Sequence, residues 1–536
     1  MKSSKIYNPD LWEISQARHI TLLEKIMLHI LFIIGIASIL SFADWWFRRE
    51  HVTIIWLYGL FSAIIWYNIL RIISIWFNYL HIKKPHQPKA PEGLKVAIFT
   101  TSYKGEPLEM VQKTLEACSH ITYPHTTYLL DNTGDPAFRE AAKKHGAIWL
   151  ELMNIPGAKA GKINRALELT NEDYILVLDP DHIPFPNFLD CTLGYFSDPK
   201  IGFVQVSQAY YNQYRSLVAQ GAAEQTYSFY GPTQMGYYGL DVAIAIGANC
   251  TFRRSALQSI GGHAVGLAED LQTSIKLHAA GWKSVYNPII VSRGIVPEDF
   301  DSFCKQQLKW ARGTFEVLFE DYPRAFKKLT WKQRFIYLTI ATYYFNGFIT
   351  FLFTLLPVTF IVIGISPVNM QISDFVARGF WIILVAIIFY FYTQRWMCHP
   401  TSERGFHWRA MALKYATWPV FFLGLMLSVV KKEIPYIPTP KNKSTKFSLY
   451  ARPMQWIIGY VFITITAFIV LRAFIIPLYN IPQTLEKDWM MIAFIMLTFI
   501  MSIIGLFVAR PDKHKWPKDP WDIIDIYSIF NNKICK

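Results

Sequence analysis

The sequence predicts an α/β domain, built on a mostly parallel sheet and set between membrane-spanning helices. Three observations predict it. Between Leu94 and Leu178, short apolar runs alternate with stretches of helical spacing, the pattern of strands joined by crossover helices. Apolar runs long enough to span a bilayer lie on both sides of that region. The 536 residues are 52% hydrophobic yet 17% charged, too apolar for one soluble domain and too charged for a chain wholly in the membrane.

The N-terminal region, 1–93, carries two apolar runs, Ile26 to about Trp46 and Val52 to about Leu80. Each exceeds the roughly 20 residues a membrane helix needs. Trp45, Trp46, Trp56 and Trp76 lie near their ends, where interfacial aromatics sit. His81-Ile82-Lys83-Lys84-Pro85 marks a cytoplasmic end, whereas Arg48 and Arg49 would face outward against the positive-inside rule. The first apolar run is long enough to span, so no cleavable signal peptide is expected.

The soluble domain is placed at 94–312. KVAIFTTSY reads as a strand and loop, Leu108–Cys118 as a helix, and TTYLLDNTG as a strand ending in Asp131-Asn132. Phe138–Lys144 reads as a helix and AIWLEL as a strand. A small-residue turn, Gly157 to Lys162, precedes a helix from Ile163 to Leu169, and Tyr174–Leu178 is a buried strand.

An interfacial helix region is expected at 313–334 and a membrane region at 335–509. Spans are read at about 335–365, 380–391 (extended back to Asp374), 456–476 and 490–508. Near 402–430, the apolar stretch Ala410–Val430 has basic residues at both ends: Arg404, Arg409 and Lys414, then Lys431 and Lys432. A span would put one cluster outside, so a helix lying along the cytoplasmic face is expected. Two spans then precede the soluble domain and four follow it. Both termini, including a tail at 510–536, are cytoplasmic in the plasma (inner) membrane.

The net charge of +14 fits cytoplasmic loops and anionic phosphate ligands. No helix-turn-helix, RRM or zinc pattern supports a nucleic-acid partner. The six cysteines are scattered without a CxxC pair, so neither a zinc site nor a disulfide framework is indicated.

The chemistry centres on Asp179-Pro180-Asp181-His182 after the strand Tyr174–Leu178. Ligands of open α/β sheets bind at the carboxyl ends of strands, and two carboxylates there suit a hard divalent cation shared with phosphates. A bare D-x-D is equally a solvated turn. Thr101, Tyr103, Glu106 and Asp131 fall on the same sheet edge, where they suit a nucleobase and ribose. Lys159, just before a helix, suits a diphosphate or is simply solvated. Asp270, after Glu269 at a helix start, is a cap worth about 1 kcal/mol or a general base worth about 10²–10⁴ in rate. Gln306, Lys309 and Trp310 share one helix face through i+3 and i+4 spacing. They suit a sugar and a phosphate, or an amphipathic helix whose Trp anchors at the membrane.

Taken in order, D, D-x-D, E-D and Q-x-x-[RK]-W resemble the family-2 glycosyltransferases, most closely the processive membrane-embedded branch typified by bacterial cellulose synthase. The resemblance runs from about Lys95 to Lys446. It implies a GT-A-like domain, a UDP-sugar donor, Mg²⁺ or Mn²⁺ on Asp179 and Asp181, and a growing polysaccharide acceptor in the bilayer. It implies nucleotide-sugar contacts from Thr101, Tyr103, Glu106, Asp131, Lys159, Asp179 and Glu269. Asp270 becomes the base, and Gln306, Gln307, Lys309 and Trp310 clamp donor phosphate and acceptor sugar. Pro438, Thr439 and Lys441 match a gating loop near 431–449. Accessory export subunits stay undefined.

The chain departs from the family pattern at several points. Lys309 replaces the usual Arg, keeping the charge without the bidentate fork. Ala268 begins the E-D triplet, Asn132 follows Asp131, and Asn442 stands where Gly is usual. The H-A-K-A-G-N turn begins with Gly157 and ends in Lys162. Two membrane helices, not four, precede the domain, and no PilZ-type domain fits after Arg510. The expected activity is inverting, processive polymerisation of a nucleotide sugar, UDP-glucose to β-glucan first among them, with translocation across the membrane. The alternatives are non-processive sugar transfer to a lipid phosphate, and a nucleotide-sugar-sensing transporter without catalysis.

Overall fold

The computed structural model describes residues 12–363, 368–432, 448–470, 474 and 485–511. Pro438, Thr439 and Lys441 of the expected gating loop, and the tail from 512, lie outside the described residues.

Seven strands form the central sheet: β1 Val96–Tyr103, β2 Thr126–Asn132, β3 Ile148–Glu151, β4 Tyr174–Leu178, β5 Ile201–Val206, β6 Cys250–Arg253 and β7 Lys283–Asn287. Their order is β7-β5-β6-β4-β1-β2-β3. The pairs β1–β2, β1–β4, β2–β3 and β5–β7 are parallel. β6 runs antiparallel between β4 and β5. Both faces are covered, as a parallel sheet requires. Ile98 and Leu176 pack into the core on one face, Phe99 and Val177 into that on the other. Register aligns Ser102 with Asp131 and Thr100 with Leu178, so the ends of β1, β2 and β4 reach one edge together.

The longer helices up to Glu316 are α1 Leu22–Trp46, α2 Ile55–Tyr79, α3 Leu108–Ser119, α4 Pro136–Lys144, α5 Ala158–Leu169, α6 Leu217–Ser228, α7 Glu269–Ala279 and α8 Phe300–Glu316. α1 packs on α2 and on the later helix Ile372–Thr393, and a strap from Trp12 leads from the sheet domain into α1. Trp12 stacks on Tyr211 at 6.0 Å and meets Phe185 at 6.1 Å. Ser15–Gln16 then pairs with Ile289–Ile290.

After α8 come α9 Trp331–Ala341, α10 Asn346–Ile363, α11 Ile372–Thr393, α12 Trp408–Ala416, α13 Trp418–Val429, α14 Arg452–Val470 and α15 Leu485–Val508. Among the described residues, five helical stretches are long and apolar enough to cross a membrane: Leu22–Trp46, Ile55–Leu80, Trp331–Leu355, Ile372–Trp396 and Leu449–Val470. α12 and α13 together make a sixth candidate bent by 44°, and Ile492–Val508 is a shorter apolar helix.

Two stretches read as single helices are broken. α9 and α10 are separated by a 3₁₀ turn at Tyr343–Phe345. α12 ends at Ala416, with Thr417 as its C-cap two residues before Pro419, whose missing N–H and ring bulk prevent continuation from the preceding turn. The bent pair lies between the sheet domain and the apolar helices: α12 packs on α6 and α15, and α13 on α8 and α10. Gly221 makes the α6–α12 approach possible. A Cβ there would lie 2.6 Å from Leu413 Cδ1 and 2.9 Å from the Arg409 carbonyl oxygen. Glu224 of α6 accepts from Arg409 Nη1 at 2.7 Å and from the Ala410 N–H at 3.1 Å, so it caps the start of α12 from a separate helix.

Candidate active site

The carboxyl edge of the sheet gathers most of the residues singled out above. Asp179 follows β4 and keeps part of its side chain open to solvent, while Asp181 and His182 turn inward and are buried. Ligand atoms of all three lie within 4.8 Å of one another. His182 Nδ1 is 3.0 Å from Asp181 Oδ1. Two carboxylates and an imidazole, with one carboxylate facing the cleft, fit a divalent cation that keeps open positions for phosphate oxygens. A protein cation partly balances these acids: Lys159 Nζ pairs with Asp179 Oδ1 at 2.5 Å.

Lys159 lies inside the first turn of α5, because the helix begins at Ala158 rather than after Lys162. Gly157 supplies the left-handed N-cap conformation. Burial opposes the charge of Lys159, but Asp179, Glu269 and Asp270 outweigh it and hold the ammonium above its ordinary range. Asp179 shifts the other way: burial favours its neutral form, yet Lys159 and His182 keep it below the usual carboxylate range.

Lys159 also connects this cluster to Asp270. Its Nζ donates to the Gly247 carbonyl. Gly247 has φ +81° and lies so close to Asp270 that a Cβ would sit 3.4 Å from Oδ2. Gln205 of β5 braces that loop. Its amide donates to the Ala248 carbonyl at 2.8 Å and accepts from the Ile246 N–H at 3.0 Å. An isolated Gln in the apolar run IGFVQV was the one available signal for it, and sequence reasoning passed over it.

Asp270 is in the first turn of α7, whose N-cap is Ala268 and makes no side-chain cap bond. Its Oδ1 accepts from the Leu271 N–H at 2.7 Å, so the carboxylate is oriented locally rather than spent as a cap. Burial and the adjacent Glu269 charge push its acid up to about 7, against the pull of that N–H, Lys309 and Lys159. A half-buried carboxylate pushed toward neutrality is suited to proton transfer.

Lys309 therefore approaches the same centre from α8. Gln307 is buried, Gln306 and Lys309 are half-buried, and Trp310 is 40% exposed. Tyr344, from the break between α9 and α10, also comes within electrostatic reach of Asp270. Trp381 is 58% exposed on α11.

At the ends of β1 and β2, Asp131 is fully buried. It accepts from Ser102 Oγ at 2.6 Å, the Thr133 N–H at 3.0 Å and Trp149 Nε1 at 3.1 Å. Thr101 is buried, whereas Tyr103 and Glu106 are half-buried and the Tyr103 N–H donates to Glu106 at 2.9 Å. Burial, then Glu106, Glu269 and Asp179, raises the Tyr103 phenol, which ties this end of the edge to the D-x-D end.

Residues 174–394 match a family model described as "Glycosyl transferase family group 2". The chain is 32% identical over 280 residues to a cellulose synthase catalytic subunit [UDP-forming] of Komagataeibacter sucrofermentans, covering 50% of this chain and 37% of that protein. It is 30% identical over 283 residues to the corresponding subunit of Pseudomonas fluorescens, covering 50% and 38%. The match thus spans well under half the length of these relatives. Among solved structures, a mannosyltransferase from Pyrobaculum calidifontis in complex with GDP-Man and Mn²⁺ aligns with a TM-score of 0.50 at 16% identity, over 70% of this chain and all of that one. That likeness concerns the fold. Residues 174–394 are thus similar to family-2 glycosyltransferases, in a chain whose sheet domain has the fold of that solved structure and is flanked by long apolar helices.

Proposed function

We propose that this chain is an inverting, processive hexosyltransferase that polymerises a nucleotide sugar, UDP-glucose first, into a β-linked glucan and passes it through its membrane helices. The observation that carries the reading is the gathering of Asp179, Asp181, Lys159, Asp270 and Lys309 at one edge of the sheet. In this reading Tyr103, Glu106, Thr101 and Asp131 form the nucleoside end of the donor site. Asp179, Asp181 and His182 hold Mg²⁺ or Mn²⁺, which when bound offsets charge on the diphosphate. Lys159 and Glu269 order the donor beside it.

Asp270 takes the proton of an acceptor hydroxyl. That oxygen bonds to the anomeric carbon as the carbon–phosphate-oxygen bond breaks, and UDP leaves with the electron pair. One displacement turns an α-linked donor into a β-linked product. Lys309 neutralises the departing diphosphate, while Trp310, with Gln306 and Gln307, holds the acceptor sugar. Pro438, Thr439 and Lys441 close over the nucleotide. The catalytic domain and both termini face the cytoplasm, and α12–α13 lie along that face of the plasma (inner) membrane. Supplying the purified protein with UDP- and GDP-sugars and Mg²⁺ or Mn²⁺, followed by linkage analysis, tests the reading. A β-linked polymer from one donor supports it. A single sugar on a lipid phosphate, or no turnover with any donor, overturns it.

A further inference from the structure

Lys162 is a buried cation that the chemistry above does not use. It is 1% exposed. It stands one turn after Lys159 on α5, on the same helix face, yet the two ammoniums have different partners. Lys159 takes Asp179, whereas Lys162 Nζ lies 3.9 Å from the centre of the Tyr103 ring.

Asp131, Glu106 and the Ala158 carbonyl also lie near Lys162. Asp131 already accepts from Ser102, Thr133 and Trp149. Glu106 accepts from the Tyr103 N–H. The Ala158 carbonyl is 3.5 Å from Nζ, long for a strong hydrogen bond. Burial pulls the ammonium down to about 8, against the charges of Glu106 and Asp131. The face of Tyr103 lies directly against the ammonium, and a desolvated ammonium is held well by such a face. Tyr103 is itself only half-buried, at the carboxyl end of β1. One side of the ring rests on Lys162 while the residue stays partly open. The related H-A-K-A-G-N turn has Asn at this position and so lacks the cation.

We propose that Lys162 is a positioning residue for donor binding: it backs the Tyr103 ring from beneath and fixes it as a flat platform for the nucleobase of a nucleoside-diphosphate sugar. The inference rests on the functional reading above and deepens it. The role runs through Tyr103 and requires no contact between Lys162 and the donor.

A double-mutant cycle on the purified full chain tests it, with UDP affinity measured by calorimetry in the presence of Mn²⁺ and donor kinetics alongside. Lys162→Met weakens UDP about tenfold and raises KM for the donor by a similar factor, with kcat within about twofold. Lys162→Arg restores most of the affinity. In a Tyr103→Leu background, Lys162→Met has no further effect. Unchanged UDP affinity in Lys162→Met, or an equal loss with and without Tyr103, overturns the inference. Thermal melts accompany each variant, and Lys162→Asn serves if the Met variant does not fold. Failure of the unmutated protein to bind UDP ends the functional reading itself. Normal UDP binding with a failed cycle ends only the role of Lys162.

Discussion

Replacing Asp270 by Asn separates a catalytic role from a structural one, because the two roles move activity and stability in different directions. The carboxyl is pushed up to about 7 by burial and by Glu269. Its pKa in the folded chain is thus above its ordinary value, and the folded state holds a proton that the unfolded state releases. Stability from this group is full below the ordinary carboxylate range and is lost as pH rises through about 7. Above that pH the charged form is a burden, and Asn removes it while keeping the shape. Asp270→Asn should therefore raise stability at pH 8 by on the order of 1–3 kcal/mol, with about a third of that gain already present at pH 5 and little of it below about pH 3.5.

Activity should fall by about 10²–10⁴ at every pH, with UDP affinity nearly unchanged. In the unmutated protein, kcat/KM should climb with pH and level off above about 7. Near pH 6 about one tenth of the molecules carry the basic form. UDP-release rates across pH 5.5–8.5, with thermal melts of both proteins, check all of this. Turnover within tenfold of normal, or an acid limb that persists in the variant, would refute the assignment of Asp270 as base.

Three further outcomes follow from the geometry. Chelation by EDTA should stop UDP release and added Mn²⁺ or Mg²⁺ restore it, since three ligand atoms gather at Asp179, Asp181 and His182; undiminished release in EDTA contradicts that site. Glu224→Ala strips the α12 N-terminus and Arg409 of their partner and should lower stability in detergent by about 2–4 kcal/mol. Gly221→Val forces a side chain against the α12 backbone and should cost about 1–3 kcal/mol, read as a lower melting temperature without a change in UDP affinity of the folded fraction.

The strand-end acids were legible in the sequence because they follow from a simple rule. Residues after parallel strands share one edge, so Asp131 and the Asp179/Asp181 pair had to lie on the same side once β1, β2 and β4 were recognised. β4 was read to its true ends, Tyr174–Leu178, since five apolar residues bounded by Asp-Pro leave little choice. Helix starts were less legible. α5 begins at Ala158 and α7 at Glu269, which puts Lys159 and Asp270 inside first turns rather than ahead of them. Apolar spacing marks the buried middle of a helix, whereas its first turn is set by caps and tertiary contacts. β5, β6 and β7 were not read; CTFR of β6 is four residues long, and its partners β4 and β5 lie far from it in sequence. The 44° bend between α12 and α13 was signalled by Pro419 but hidden by the continuous apolar run. Lys162 read only as the last residue of a small-residue turn. Only the fold brings the Tyr103 ring across it.

The most direct test of the central claim gives the purified protein labelled UDP-glucose with Mn²⁺, and follows UDP release and chain length together. The account predicts UDP released in step with a growing, glucanase-sensitive polymer, both abolished by replacing Asp179 or Asp181 with Asn. UDP release that continues in those variants, or sugar that never passes a single addition, would contradict it.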